Sequence, residues 1–200
     1  MTALAVDVVE TGSANLASVL AAMRRLGAAP RLVRDGDAVR RAERLVLPGV
    51  GAFGAVMSRL RALGLDQALR ERITSGRPLL AICLGFQILA SASEESPGTA
   101  GLGILDGTVH RFPSRVRVPQ LGWNKVGNSR SDTLIRTGHA YFANSYYVDA
   151  AESSWNPTYA EHGVRFVAAI ERGAQLACQF HPELSGPWGA GLLERWWARC

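Results

Sequence analysis

The first half of this chain carries a rhythm that leaves few folds open to it. Short, mostly apolar runs alternate with stretches of helical spacing. The apolar runs fall at residues 4–9, 31–33, 45–47 and 79–82. Between them, residues 15–26 place Leu16, Val19, Leu20 and Met23 on one helical face, and residues 53–63 and 65–75 read as two further helices. Ser13 or Asn15 is available as a cap for the first helix and Gly27 as its stop. Residues 84–90 read as the start of another helix. Alternating strand and helix of this kind builds a doubly wound sheet.

The second half changes character. Residues 93–103 form a loop rich in Ser, Glu, Pro and Gly. Short β-like runs follow at 108–112, 116–119, 140–143, 146–148, 164–170 and 176–180, and residues 187–199 read as a closing helix carrying Leu192, Leu193, Trp196 and Trp197. No repeat or linker divides the chain. The expected fold is a single α/β domain over residues 1–200, with a doubly wound, mostly parallel (mixed) sheet flanked by helices.

Composition removes several functions. No apolar run approaches the roughly 20 residues of a membrane span. The first residues lack a basic segment and cleavage site, so they read as a strand and the expected compartment is the cytoplasm. The net charge is +5, but the arginines are scattered and Lys125 is the only lysine. That pattern argues against a nucleic-acid binder and suits an anionic substrate or an acidic partner. Cys83, Cys178 and Cys200 have no metal-like spacing, so no metal and no disulfide framework is expected. Cys178 lies inside an apolar run, as a buried inert thiol would.

Cys83 is different, because it ends the apolar run 79–82 with Ala81 and Gly85 two residues away on either side. A sharp turn from a parallel strand into a helix exposes one side chain above the sheet and needs small neighbours. A helix starting near Leu84 would point its N-terminus at the sulfur and favour the thiolate. The alternative for the turn alone is a core cysteine at a strand end. His181 and Glu183 stand two apart just past another apolar run, with Pro182 between them turning the chain. His181 can take the thiol proton and return it to a leaving amine, while Glu183 holds the imidazole. His110, His139 and His162 lack a carboxylate at a comparable strand end and read as structural. An oxyanion hole is expected from the Pro48-Gly49-Val50-Gly51 turn, with the amides of Val50 and Leu84 as donors and Gly51 beside them. Without Cys83 that turn would read as an ordinary βα connection.

These residues resemble the class I (triad) glutamine amidotransferases, and within them the glutaminase subunits of imidazole glycerol phosphate synthases. The likeness spans nearly the whole chain. Residues 15–19 resemble Asn-Leu-x-Ser-Val, residues 47–54 the oxyanion segment, and residues 81–87 Gly-Ile-Cys-Leu-Gly-Met-Gln. Residues 118–124, Val-Pro-Gln-Leu-Gly-Trp-Asn, resemble a stretch typical of this subunit, and residues 141–147 and 179–186 complete the pattern. The resemblance implies a flavodoxin-like fold, L-glutamine as substrate, a glutamyl thioester on Cys83 and no cofactor. It implies that Gln87, Ser145 and Tyr146 hold the substrate. It also implies a heterodimer with a (β/α)8-barrel cyclase that receives the ammonia through a protected channel. Asn15 and Trp123 are candidate interface residues; helix capping and core packing are their respective alternatives.

Four departures accompany the likeness. Residues 7–14 differ from the common Asp-Tyr-Gly-x-Gly, Ala81 replaces a glycine, Asn144 stands in place of histidine and Leu184 in place of lysine. Three other readings remain: the glutaminase subunit of a different synthase, such as that for pyridoxal phosphate; a flavin or phosphate-binding module at residues 11–15; and a catalytically dead interaction subunit.

Overall fold

A computed structural model of the chain describes residues 5–12, 16–127, 132–149, 151 and 154–200. Five parallel strands form its centre. Strand β1 (Ala5–Val9) lies between β2 (Ala29–Val33) and β3 (Leu45–Leu47). Next to β3 comes β4 (Leu79–Ile82), and next to β4 comes β12 (Gln175–Cys178). The sheet order 2-1-3-4-12 is that of a flavodoxin-like doubly wound sheet, whose ligands bind beyond the carboxyl ends of the strands.

The apolar strands owe their composition to burial on both faces. Val6, Val8, Val46, Leu80 and Ile82 pack on one side with α1 (Leu16–Arg25). Val9, Leu45, Leu47, Leu79 and Ala81 pack on the other with α3 (Phe53–Ala62) and α4 (Leu65–Thr74). Helix α2 (Gly36–Arg41) joins the second layer through Val39, and α6 (Gly186–Arg199) joins the first through Leu192, Leu193 and Trp196. Truncating one of these leucines or Ile82 to alanine would cost about 2–5 kcal/mol.

Past β12 the sheet becomes antiparallel, through β11 (Arg165–Arg172), β9 (Tyr146–Val148) and β6 (Leu105–Arg111). At the far edge β5 (Ala90–Ser93) runs parallel to β6, and β10 (Asn156–Glu161) pairs with β11. Strands β7 (Gln120–Val126) and β8 (Gly138–Asn144) make a separate two-stranded sheet. Among the described residues no helix is long and apolar enough to cross a membrane.

Most of the expected elements are present, with several differences. The helix expected from residue 84 is a single turn, α5 (Leu84–Gln87). The chain then turns into β5, because Leu102 and Ile104 donate their N–H groups to the carbonyls of Ile88 and Leu89 at 2.7 and 2.8 Å. Tertiary pairing overrides the local helical pattern there. Residues 116–119 are not a strand, and α2, β5, β7 and β10 were not expected. Ser13 and Asn15 lie outside the described residues, so their capping and interface roles have no structural account here.

Candidate active site

Three adjacent strand ends supply the site: Gly49 to Gly51 after β3, Cys83 after β4, and His181 with Glu183 after β12. Cys83 has φ +54° and ψ −110°, a region that L side chains avoid, and it is the one such non-glycine residue among those described. Neighbouring bonds hold the strained turn in place. The Cys83 N–H donates to the Cys178 carbonyl at 2.8 Å, and its own carbonyl accepts from Phe86 and Gln87 at 3.0 and 3.1 Å. The turn leaves no room for side chains behind it. A Cβ on Gly85 would lie 2.1 Å from the Leu47 carbonyl oxygen, and one on Gly49 would lie 2.5 Å from the Gly85 nitrogen.

The segment after β12 does not stay extended. Residues Pro182–Leu184 form a 3-10 turn that folds Glu183 back, placing its Oε1 2.8 Å from His181 Nδ1. Ser185 fastens this turn: its hydroxyl donates to the His181 carbonyl at 2.6 Å and accepts from the Tyr141 N–H at 2.9 Å. Both side chains of the pair are buried, His181 at 5% and Glu183 at 1% exposure. With Nδ1 occupied by Glu183, the other ring nitrogen serves the hydrogen bond to Cys83. Burial alone would push the imidazole toward its neutral form. Hydrogen bonds to Cys83 and Glu183, and the negative charge on both, outweigh burial and raise its pKa to about 10. His181 is thus an imidazolium at neutral pH, next to the sulfur.

Cys83 opens on a cavity of 170 Å³ lined by Val50, Gly51, Leu84, Gln87, Glu95, Asn144, Ser145 and Tyr146, among others. The structure therefore brings the expected oxyanion and substrate residues to one place. Three larger hollows, of 420 Å³ between α1 and α6, 640 Å³ at the β2 edge and 450 Å³ beside the start of α3, contain neither Cys83 nor His181.

The expected oxyanion hole is not open. The Leu84 N–H donates to the Gly49 carbonyl at 3.2 Å, so in this state it cannot serve an oxyanion. The substrate contacts are also narrower than expected. The Ser145 carbonyl accepts from the Phe112 N–H at 3.1 Å, and the Tyr146 carbonyl accepts from both Gln87 and Asn144 at 3.0 and 2.9 Å. Both lone pairs of the Tyr146 carbonyl are taken, while the Ser145 carbonyl keeps one. Both N–H groups of the Gln87 amide are committed, to Tyr146 and to Gln179 Oε1 at 2.9 Å, which leaves Gln87 Oε1 as an acceptor only.

Sequence reasoning missed two residues here. Glu95 lines the cavity, and its Oε2 accepts the Phe53 N–H at 2.7 Å at the start of α3. Gln179 is fully buried and donates from Nε2 to the Cys83 sulfur at 3.6 Å. An amide inside the apolar run 176–180 was the available signal for Gln179; Glu95 sits in an unpatterned polar loop that offered none. His110, expected to have no carboxylate at a comparable strand end, does have Glu94 and Asp149 3.0 and 3.7 Å from its ring nitrogens, at the surface. Cys178 is held neutral, because burial pushes its thiol well above the ordinary range. Trp123 is 58% exposed, which removes core packing as its role.

The sequence profile of the family described as Glutamine amidotransferase class-I matches residues 7–199. The chain belongs to this family. Among curated relatives, the protein of Herpetosiphon aurantiacus named imidazole glycerol phosphate synthase subunit HisH is 41% identical over 194 residues, 96% of this chain and 92% of that protein. The protein of the same name from Mycolicibacterium paratuberculosis is 41% identical over 203 residues, 98% of each chain. Among solved structures, one described as a glutamine amidotransferase superposes with a TM-score of 0.75 at 22% identity, covering 96% of this chain and 95% of that one. PurLQS from Thermotoga maritima superposes with a TM-score of 0.73 at 19% identity, covering 99% of each. These two likenesses concern the fold alone.

Proposed function

We propose that this chain is the glutaminase subunit of an imidazole glycerol phosphate synthase, releasing ammonia from glutamine for a cyclase subunit. Two observations support the reading together: Cys83 bonded to a buried, Glu183-held imidazolium, and about 40% identity to such subunits over nearly the full chain. The relatives' common name favours this synthase over that of pyridoxal phosphate. The intact triad residues argue against a dead subunit.

In this mechanism the Cys83 thiolate attacks the carboxamide carbon of glutamine, and the carbonyl electrons move onto oxygen. His181 gives its proton to the departing nitrogen, the C–N bond breaks, and ammonia leaves a γ-glutamyl thioester. Neutral His181 then takes a proton from water as its oxygen attacks the thioester. The C–S bond breaks, glutamate leaves, and the thiolate–imidazolium pair is restored.

The closed oxyanion hole gives the partner something to switch. The Gly49 carbonyl that occupies Leu84 and the N–H of Val50 belong to one peptide unit. Rotating that unit withdraws the carbonyl and turns the Val50 N–H toward the same space, so both donors become available at once. Removing a single such donor typically costs about 10²–10³ in kcat, so the closed state should hydrolyse glutamine poorly. A docking surface lies close by. Leu121 and Trp123 point outward from β7 at 64% and 58% exposure, joined by Leu184 at 39%. The Trp123 ring passes 3.6 Å from the Cβ position of Gly186, at the end of the turn that carries Glu183. A cyclase subunit with a (β/α)8-barrel, seated on that face, would receive ammonia away from bulk water.

The test is a glutaminase assay with and without the cyclase subunit and its ligand. Strong stimulation by the liganded cyclase is expected. Equal turnover in the isolated chain would overturn the switch, and no turnover in either would overturn the function.

A further inference from the structure

We infer that Gln179 is a positioning residue for the nucleophile: its amide N–H holds the Cys83 sulfur as thiolate, and Gln87 keeps that amide turned the right way round. The inference rests on Cys83 being the nucleophile and adds the group that steadies it besides His181.

Gln179 has no exposed surface, and an amide so placed needs its hydrogen bonds made. Its backbone N–H donates to the Ala168 carbonyl at 2.8 Å, continuing the line of β12 and fixing where the side chain starts. Its Nε2 reaches Cys83 Sγ at 3.6 Å and its Oε1 accepts from Gln87 at 2.9 Å. The orientation follows from donor and acceptor logic. The Tyr146 carbonyl can only accept, so the Gln87 NH2 group must face it. That same NH2 group then presents its second N–H to Gln179, which must answer with oxygen. The Gln179 NH2 group is thereby left facing the sulfur. Asn144 Nδ2 fills the second lone pair of the Tyr146 carbonyl at 2.9 Å and pins the start of the relay. A reversed Gln179 would set its carbonyl oxygen against a thiolate.

A donor aimed at the sulfur binds the ionised form more strongly than the neutral thiol. The titratable groups that face Cys83 are His181 from the β12 side, Cys178 on β12, and Glu95 and Tyr146 across the cavity, with Glu183 behind His181. Of these only His181 supplies positive charge. Gln179 is a neutral donor and works at every pH at which the protein is folded.

The experiment measures the pH dependence of Cys83 alkylation by iodoacetamide, with the modified peptide read by mass spectrometry to separate Cys83 from Cys200. Wild-type protein is compared with Gln179→Met and Gln87→Met, with folding checked by thermal melting. In Gln179→Met the pH midpoint of alkylation should rise by about one unit, a tenfold loss of thiolate below the midpoint, with the high-pH plateau unchanged. Gln87→Met should raise the midpoint by a smaller amount, because it only frees the Gln179 amide to turn. Gln87→Met also carries the test if Gln179→Met does not fold. An unchanged midpoint in the folded variants overturns the inference. Because no glutamine is present, this outcome is separate from failure of the nucleophile assignment, which glutamine turnover by Cys83→Ala would show.

Discussion

A methyl group at Gly85 tests whether close backbone packing sets the nucleophile turn. The Cβ of Gly85→Ala would lie 2.1 Å from the Leu47 carbonyl oxygen, where real Cβ contacts stay beyond 3.0 Å. The obstacle is backbone in a fully buried strand, so it cannot swing away as a side chain would. Either β3 or the turn must therefore shift by roughly 1 Å, and overpacking of this kind costs about 1–3 kcal/mol. For a domain of this size that is a fall of about 2–12 °C in Tm. The functional effect should be larger, because the same shift moves Cys83 and the Gly49–Val50 peptide, and a misplacement near 1 Å can cost about 100-fold in rate. The assay pairs thermal melting with glutamine-dependent turnover in the presence of the cyclase. Gly191→Ala is the control: it lies in α6 and meets only the flexible end of Arg195, at 3.2 Å. That substitution should raise stability by up to about 1 kcal/mol. If Gly85→Ala kept both its Tm and its turnover, the packing argument for the turn would be refuted.

Two other predictions concern the imidazole and the interface. The raised pKa of His181 contributes stability that is fully present below about 6.5 and is lost as pH rises through about 10. Glu183→Gln removes one source of that shift, so the variant should be less stable at pH 6 and lose less stability between pH 6.5 and 10. Urea midpoints across that range check this; parallel profiles would count against the pairing. Its glutamine-dependent kcat should fall by about 10²–10⁴. Trp123→Ala removes a ring that is 58% exposed, so the isolated chain should melt within about 1 °C of wild type. Cyclase binding, measured by calorimetry, should weaken by about 2 kcal/mol or more, and unchanged affinity would move the interface elsewhere.

The elements read best from sequence were those buried on both faces. Leu79–Ile82 is apolar at every position because neither face meets water, and that is why the turn at Cys83 could be found. The 84–90 run is helical only over Leu84–Gln87, because the distant residues 102–104 decide where the helix stops and β5 begins. β10 was hidden by Pro157 and by a register shift between Thr158 and Tyr159, which break the alternation expected of a strand. In the site, the residue types and strand ends were legible. The state of the Leu84 amide was not, because a peptide orientation leaves no trace in residue type. Glu95 and Gln179 were invisible as partners because their contacts, to Phe53 and to Cys83, span 42 and 96 residues. The departure at Asn144 gains a role from the structure, as the second donor to the Tyr146 carbonyl.

The central claim is that Cys83 releases ammonia that the partner consumes. Its most direct test compares product formation by the assembled Cys83→Ala complex with glutamine and with added ammonium salt as the nitrogen source. The account predicts no glutamine-dependent product and undiminished ammonia-dependent product. Glutamine-dependent synthesis by the variant would contradict it.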